Sequence, residues 1–189
     1  MNDSYYKKTI PFKQDNIQLE FDLAETLFST FQIDYGSAVL IRNVDFKDPK
    51  TILDIGCGYG TLGVYLAAKY SSAEITAVDR DLLAVKYSNL NAAKNKLKNY
   101  KALGSLGVEE VKDQKFDLIV SNVPAKIGED AIEEEFMVRP MQLLNPGGEY
   151  WIVIMTALNR FIPKFAAKHD LKLKEMKRRN GHIVYRLRN

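Results

Sequence analysis

The stretch Thr51–Gly63, TILDIGCGYGTLG, carries four glycines in the eight positions from 56 to 63, directly after an apolar run. Glycine loses more backbone entropy on folding than any other residue and contributes nothing to a core. Glycines at this density mark a turn whose backbone something must approach closely. TILDI (51–55) reads as a buried strand, and TLGVYLAAKY (61–70) repeats apolar residues at helical spacing. The segment is therefore strand, tight turn, helix.

The same alternation extends outward. EITAVD (74–79), YKALGS (100–105), FDLIVSN (116–122) and EYWIVIM (149–155) read as strands. DLLAVKYSNLNAAKNKL (81–97), GEDAIEEEFMVRPMQLL (128–144) and residues 158–168 read as helices between and after them. In the helix over 81–97 the spacing turns Leu82, Val85, Leu90, Ala93 and Leu97 inward. LKLKEMK (171–177) and HIVYRLR (182–188) close the chain as two strands joined at Asn180-Gly181, a strong hairpin signal. Strands and helices alternating at this spacing predict an α/β fold: a doubly wound, mostly parallel, seven-stranded sheet covered on both faces, with an antiparallel C-terminal hairpin. Residues 1–49 differ in character and read as a lead-in of short strands and a helix capping the core over 50–189, the whole forming one domain.

Composition narrows the classes of function. With 189 residues, 46% hydrophobic and 27% charged, the chain has the balance of a soluble globular protein. No apolar run approaches the roughly 20 residues that span a bilayer, and MNDSYYKKTIPF has no signal-peptide core. A single cysteine excludes an intrachain disulfide and fits a reducing cytoplasm. With only His169 and His182 beside it, a zinc site is not expected. The net charge of +3 is unevenly spread: residues 160–189 hold ten Lys and Arg against two acids, whereas 128–135 hold five acids and no base. A basic end suits a polyanionic partner such as RNA, although charge runs are as often simply solvated.

Ligands of such sheets bind beyond the carboxyl ends of the strands, where the strand order reverses. The glycine loop lies at the first such end and admits two registers. Gly58-x-Gly60-x-x-Gly63, with Asp79 sixteen residues on, matches a dinucleotide fingerprint. That register leaves Asp54, at the strand tip, unexplained. Asp54-x-Gly56-x-Gly58-x-Gly60 uses it. This second pattern, with AVDRD (77–81), FDLIVSN and LLNPGG (143–148), resembles the class I S-adenosylmethionine (SAM)-dependent methyltransferases. FSTFQIDYGSAVLI (28–41), MTALNRFIPKF (155–165) and HIVYR (182–186) extend the likeness to the guanine-N2 methyltransferases of small-subunit ribosomal RNA and their compact archaeal relatives. The chain is similar to their catalytic domain, without the N-terminal half of the bacterial enzymes.

The resemblance implies SAM as cofactor and RNA guanine as substrate, with Asp54 near the methionyl part, Gly56, Gly58 and Gly60 letting the backbone approach, Asp79 at the ribose hydroxyls, and Cys57, Arg80 and Asn122 also at the cofactor. Ser105 and Leu106 are expected at the adenine, and Phe31, Asp34, Gly36 and Ser37 closing over the cofactor. Asp81 is an equally good N-cap for the following helix, which leaves Asp79 free for ligand work. Where the family carries N/D-P-P-Y/F/W, this chain has Asn122-Val123-Pro124-Ala125. Asn122 and the Val123 carbonyl keep two acceptors for an amine's hydrogens, Pro124 keeps rigidity, and the aromatic that stacks on a flipped base is missing. Tyr35, Phe31 and Phe136 are candidates to replace it. Trp151 reads as packing, Cys57 as a small loop residue, and His169 and His182 as surface or packing residues. Lys126, Arg160, Lys164, Arg178 and Arg179 are candidate phosphate contacts. The same Asn geometry would serve a protein amide or a small molecule, and a relative that binds RNA without catalysis is a third possibility. The oligomeric state is not readable.

Overall fold

The computed structural model describes residues 3–27, 29 and 31–189; Phe28 and Thr30 of the expected lead-in segment lie outside the described residues. The chain opens with an antiparallel hairpin, β1 (Tyr6–Gln14) and β2 (Ile17–Ala24), followed by α1 (Tyr35–Asn43). The alternation read from the sequence then appears in order: β3 (Thr51–Ile55), α2 (Thr61–Lys69), β4 (Glu74–Asp79), α3 (Leu82–Lys94), β5 (Tyr100–Gly104) and β6 (Phe116–Asn122). β7 (Leu144–Met155), β8 (Lys172–Arg179) and β9 (His182–Arg188) complete the sheet. Its order is β5-β4-β3-β6-β7-β9-β8, parallel from β5 to β7 and antiparallel at β9 and β8. Strand order reverses between β3 and β6, and ligand sites are expected beyond that point. The closing turn has Asn180 and Gly181 both at positive φ, 45° and 77°, the conformation that an Asn-Gly hairpin turn requires.

Side chains alternate across the pleat, so each strand feeds two cores. Ile52, Val120, Trp151, Val153 and Val184 pack with α1, α2, α3 and the β1–β2 hairpin on one face. Leu53, Ile55, Ile119, Tyr150, Ile152 and Ile183 pack on the other, against the helical stretch 129–142 and α6 (Phe161–Lys168). Trp151 is a core residue, as its strand position predicts; its indole Nε1 donates to the buried Glu149 carboxylate at 2.6 Å. The hairpin is fastened to α3 by Asn91, whose side chain accepts from Asp22 N at 2.7 Å and donates to the carbonyls of Asp22 and Tyr59.

Two elements differ from expectation. The inward face of α3 carries Ala84, Tyr87, Ser88, Asn91 and Ala92, while Leu82 and Leu90 are exposed at 72% and 45%. Helical spacing fixes which residues share a face, and here the small and polar face is buried because α2 and the hairpin approach closely. The helix expected over 128–144 forms as α4 (Glu129–Ala131), a wider π-type segment (Ile132–Val138) and α5 (Arg139–Gln142). Pro140 has no N–H to give the carbonyl four residues earlier, that of Phe136. The Tyr150 hydroxyl donates to that carbonyl instead, at 2.8 Å, and so fixes the backbone of Phe136. Tyr150→Phe removes this buried hydrogen bond and is expected to lower the unfolding free energy by about 0.5–1.5 kcal/mol, read from urea denaturation.

Candidate active site

Beyond the carboxyl ends of β3, β4 and β6 lies an open cavity of about 540 Å³. The glycine loop forms its floor. Gly56, Gly58 and Gly60 have φ of 70°, 55° and 96°, so the chain turns from β3 into α2 through conformations that side chains rarely adopt. The N–H groups of Gly56 and Cys57 both donate to the Val78 carbonyl. Asp79 Oδ2 accepts from Gly58 N at 2.8 Å, and its Oδ1 accepts from Asp81 N. Asp81 is the N-cap of α3, accepting from Leu83 N. Asp79 is thus free of capping and lines the cavity.

The glycines have different reasons. A side chain at Gly58 would meet nothing and project into the cavity. A Cβ at Gly60 would lie 2.7 Å from Ser88 Oγ and 2.9 Å from Val64 Cγ2, and one at Gly63 2.7 Å from Tyr100 Cε2. Gly60 therefore serves the packing of α2 on α3 and lies outside the cavity wall. Asp54 also lies outside the wall, completely buried beneath the loop. Its Oδ2 accepts from Gly63 N at 2.8 Å, and Oδ1 has no partner among the described residues.

Eleven of the residues expected at the cofactor or the reacting amine line the cavity: Asp34, Ser37, Gly56, Cys57, Gly58, Asp79, Arg80, Ser105, Asn122, Val123 and Pro124. Leu106 does not. β5 hydrogen bonding continues through Ser105 N to the Asp79 carbonyl, and Leu106 then points outward, 74% exposed; Gly107 takes the wall position. Gly36 lies behind the wall, where a Cβ would come within 2.9 Å of the His182 ring. Burial pushes the Cys57 thiol well up, with the Asp54 and Asp79 charges adding to it, which suits a loop residue and not a nucleophile.

Asn122 ends β6. Its Nδ2 donates to Asp34 Oδ2 at 2.7 Å and to Ser37 Oγ at 3.0 Å. Asp34 is the N-cap of α1, its Oδ2 also accepting from Ser37 N at 2.8 Å. A carboxylate only accepts, so it fixes which way the Asn122 amide faces. Both amide hydrogens are engaged, and the amide oxygen is left as an acceptor. Asp34 and Ser37 thus touch Asn122 directly.

Of the candidate aromatics, Phe136 stands in the wall, 3.5 Å from where a Gly56 Cβ would be. Phe31 is 69% exposed under the Lys7 ammonium, and Tyr35 packs on the His182 ring. Met155 and His182, which face each other across β7 and β9, both line the cavity, and the His182 ring packs on Tyr35 and over Gly36. The signal for it is the Asn-Gly turn, which puts His182 at the strand end nearest the site. Lys126 also lines the cavity, whereas Arg178 is paired with Glu175 at 2.7 Å. Among the described residues, no helix is long and apolar enough to cross a membrane.

Residues 18–186 match the model of the methyltransferase small domain. The chain belongs to this family. It is 33% identical over 167 residues to the Bacillus subtilis uncharacterised protein YbxB, covering 82% of each chain. It is 35% identical over 141 residues to ribosomal RNA small subunit methyltransferase C of Pasteurella multocida, covering 72% of this chain and 41% of that one. The chain therefore spans about two-fifths of that relative's length. Its fold matches a solved T. thermophilus 16S rRNA N2 G1207 methyltransferase in complex with AdoMet and guanosine, with a TM-score of 0.83 at 24% identity over 99% of this chain and 51% of the other. The strand order and the seven-stranded mixed sheet are those expected of this fold.

The residues present fit the methyl donor: two glycines leave backbone bare at the cavity floor, and a buried carboxylate oxygen under that floor lacks a donor. Burial pushes the Asp54 carboxyl up to about 7; the Gly63 N–H pulls it down and the Asp79 charge adds to the rise. A raised folded-state value favours the protonated form. The resulting stability is fully present below the ordinary value of 3.8 and is lost as pH rises towards 7. Between about pH 4 and about pH 8, the unfolding free energy of the unliganded protein is expected to fall by on the order of 2–4 kcal/mol relative to Asp54→Asn, read from denaturation at each pH. A difference that stays flat over that window would rule out this titration.

Proposed function

We propose that this methyltransferase methylates an exocyclic amine of guanine in RNA, and that Asn122 holds the amine. The observation that carries the reading is the double donation from Asn122 Nδ2 to Asp34 and Ser37, which leaves the amide oxygen as an acceptor beside the cavity. An exocyclic amine is a poor nucleophile because its lone pair is delocalised into the ring. Asn122 Oδ1 and the Val123 carbonyl each accept one of its hydrogens, favouring the pyramidal form and aiming the nitrogen. Pro124 keeps the Val123 carbonyl from turning away.

SAM supplies an electrophilic methyl group on a sulfonium. Asp79 would accept from its ribose hydroxyls with the lone pairs that Gly58 N and Asp81 N leave unused. Gly56, Cys57 and Gly58 would present bare backbone, and Arg80 and Ser105 would flank the adenosyl part. Asp54 would act from below, as a counter-charge to the cationic amine. Phe136, Ile55, Val78 and Leu62 give the cavity its apolar wall. An apolar wall favours a step in which charge on sulfur disappears. Orientation of this kind is worth roughly 7–11 kcal/mol in favourable cases.

RNA as substrate is supported by the names of the curated relatives and by Lys126 at the cavity. Arg160, Lys164 and Arg179 are exposed on the basic stretch 160–189. Ala125 favours a second reading. It offers no ring for a flipped base, and the same pair of acceptors would hold a protein amide or a small amine.

Asp79→Ala is expected to weaken SAM binding about tenfold to a hundredfold, by calorimetry, as charge-assisted hydrogen bonds are lost. Unchanged affinity would refute the ribose contact. Asn122→Ala is expected to lower methyl-label transfer into protein-free small-subunit RNA by roughly 10²–10³-fold while SAM affinity stays nearly intact. Label in protein or small molecules but not in RNA would select the second reading, and transfer that survives Asn122→Ala would remove Asn122 from the chemistry.

A further inference from the structure

His182 plays no part in holding the amine or the methyl donor, yet it is fixed in the cavity wall from three sides. Its strand begins immediately after the Asn180-Gly181 turn. That turn is held on two sides: Asn180 Nδ2 donates to the hydroxyl of Tyr35 in α1 at 2.9 Å, and the Gly181 carbonyl accepts from Thr156 N, just past β7. The Tyr35 ring lies 5.5 Å from the imidazole, tilted by 52°. Beneath it is Gly36, where any Cβ would collide with the imidazole at 2.9 Å and would also sit 3.0 Å from Asp34 Oδ2. The missing side chain at Gly36 therefore lets the imidazole settle onto the start of α1.

The pleat gives the same answer independently. Val120, Val153 and Val184 share one face of the sheet, so Asn122, Met155 and His182, each two residues from one of them, face the same way. Asn122, Met155 and His182 all line the cavity.

The ring's tautomer is set by its partner. His182 Nδ1 lies 3.0 Å from the Asn180 carbonyl oxygen. A carbonyl only accepts, so Nδ1 carries the hydrogen, and in the neutral ring Nε2 carries the lone pair. No hydrogen bond to Nε2 occurs among the described residues, and this edge of the ring lies over Gly36, where a Cβ would be 3.3 Å from Nε2. An unpaired acceptor in a cavity wall, fixed by a carbonyl, a tyrosine and a bare glycine, is suited to recognising a donor on the ligand.

We infer that His182 is a substrate-binding residue: Nε2 accepts a hydrogen bond from the nucleoside that Asn122 holds. The inference rests on the guanine reading above. A guanosine bound there offers two further donors near its amine, the ring N1–H and the ribose 2′-hydroxyl. Met155, half exposed directly across the strand pair, provides the apolar ledge beside it. A recognition residue of this kind also compensates in part for the absence of a stacking ring at Ala125.

The test measures binding of guanosine, 1-methylguanosine and 2′-O-methylguanosine to the full chain saturated with S-adenosylhomocysteine, by NMR titration. His182→Ala is expected to weaken guanosine about five- to tenfold, the loss typical of one hydrogen bond. For the analogue that lacks the donated hydrogen, His182→Ala is expected to change nothing further, and that analogue identifies the donor. His182→Gln, which keeps an acceptor, is expected to restore most of the affinity. Wild-type guanosine affinity in His182→Ala overturns the inference. So does an equal weakening of all three ligands, which would mean that the ring only packs. If the wild-type protein binds no guanosine at all, the guanine reading itself fails, and the inference fails with it.

Discussion

The site depends on one constraint: the chain must leave the sheet at Ile55 and enter α2 at Thr61 in five residues. Only left-handed backbone turns that sharply, and Gly56, Gly58 and Gly60 supply it. The turn is then pinned by two carboxylates from neighbouring strands. Asp79 holds the Gly58 N–H from above, and Asp54 holds the Gly63 N–H from beneath. Asp79 thereby holds the loop itself, and Asp54 satisfies a first-turn donor of α2, where negative charge is also favoured by the helix dipole. Gly60 and Gly63 let α2 settle against Ser88 and Tyr100, close enough for these bonds to form.

That arrangement has a cost, and the cost is informative. Asp54 is buried with one oxygen unpartnered, a condition that raises its carboxyl towards neutrality. Buried polar atoms without partners are uncommon in folded chains. One directly under a floor of bare backbone fits a protein whose cofactor brings positive charge to that place. Family membership supplies the cofactor, and the unpartnered oxygen is the local physical reason that it suits this loop.

The second half of the site is organised by the pleat and by α1. Asn122, Met155 and His182 come from three adjacent strands and share a face because side chains alternate. Asp34, as the N-cap of α1, has its carboxylate at the sheet edge of the cavity, where it orients Asn122. One residue thus ends a loop, starts a helix and fixes which way an amide faces. The same helix start, through Tyr35 and Gly36, receives the β8–β9 turn.

The sequence by itself determined the strand–turn–helix order, the glycine loop, the switch point and the residues at the strand tips. These are local matters: backbone conformation, period of burial and turn chemistry are written within a few residues. It also determined that Asp79, Asn122 and Val123 would face one cavity, because each lies at the end of a parallel strand of the same sheet. Tertiary structure decided the rest. Whether Gly60 serves a ligand or a neighbouring helix depends on how close Ser88 comes. Which face of α3 is inward depends on what packs against it, so Leu82 and Leu90 point to solvent despite their chemistry. Leu106 faces out and Gly107 in because the β5 hydrogen bonding runs on through Ser105 before the chain turns. His182 lies 60 residues from Asn122 and reaches the site only through an antiparallel strand and a tyrosine contact, and no spacing along the chain encodes such a meeting.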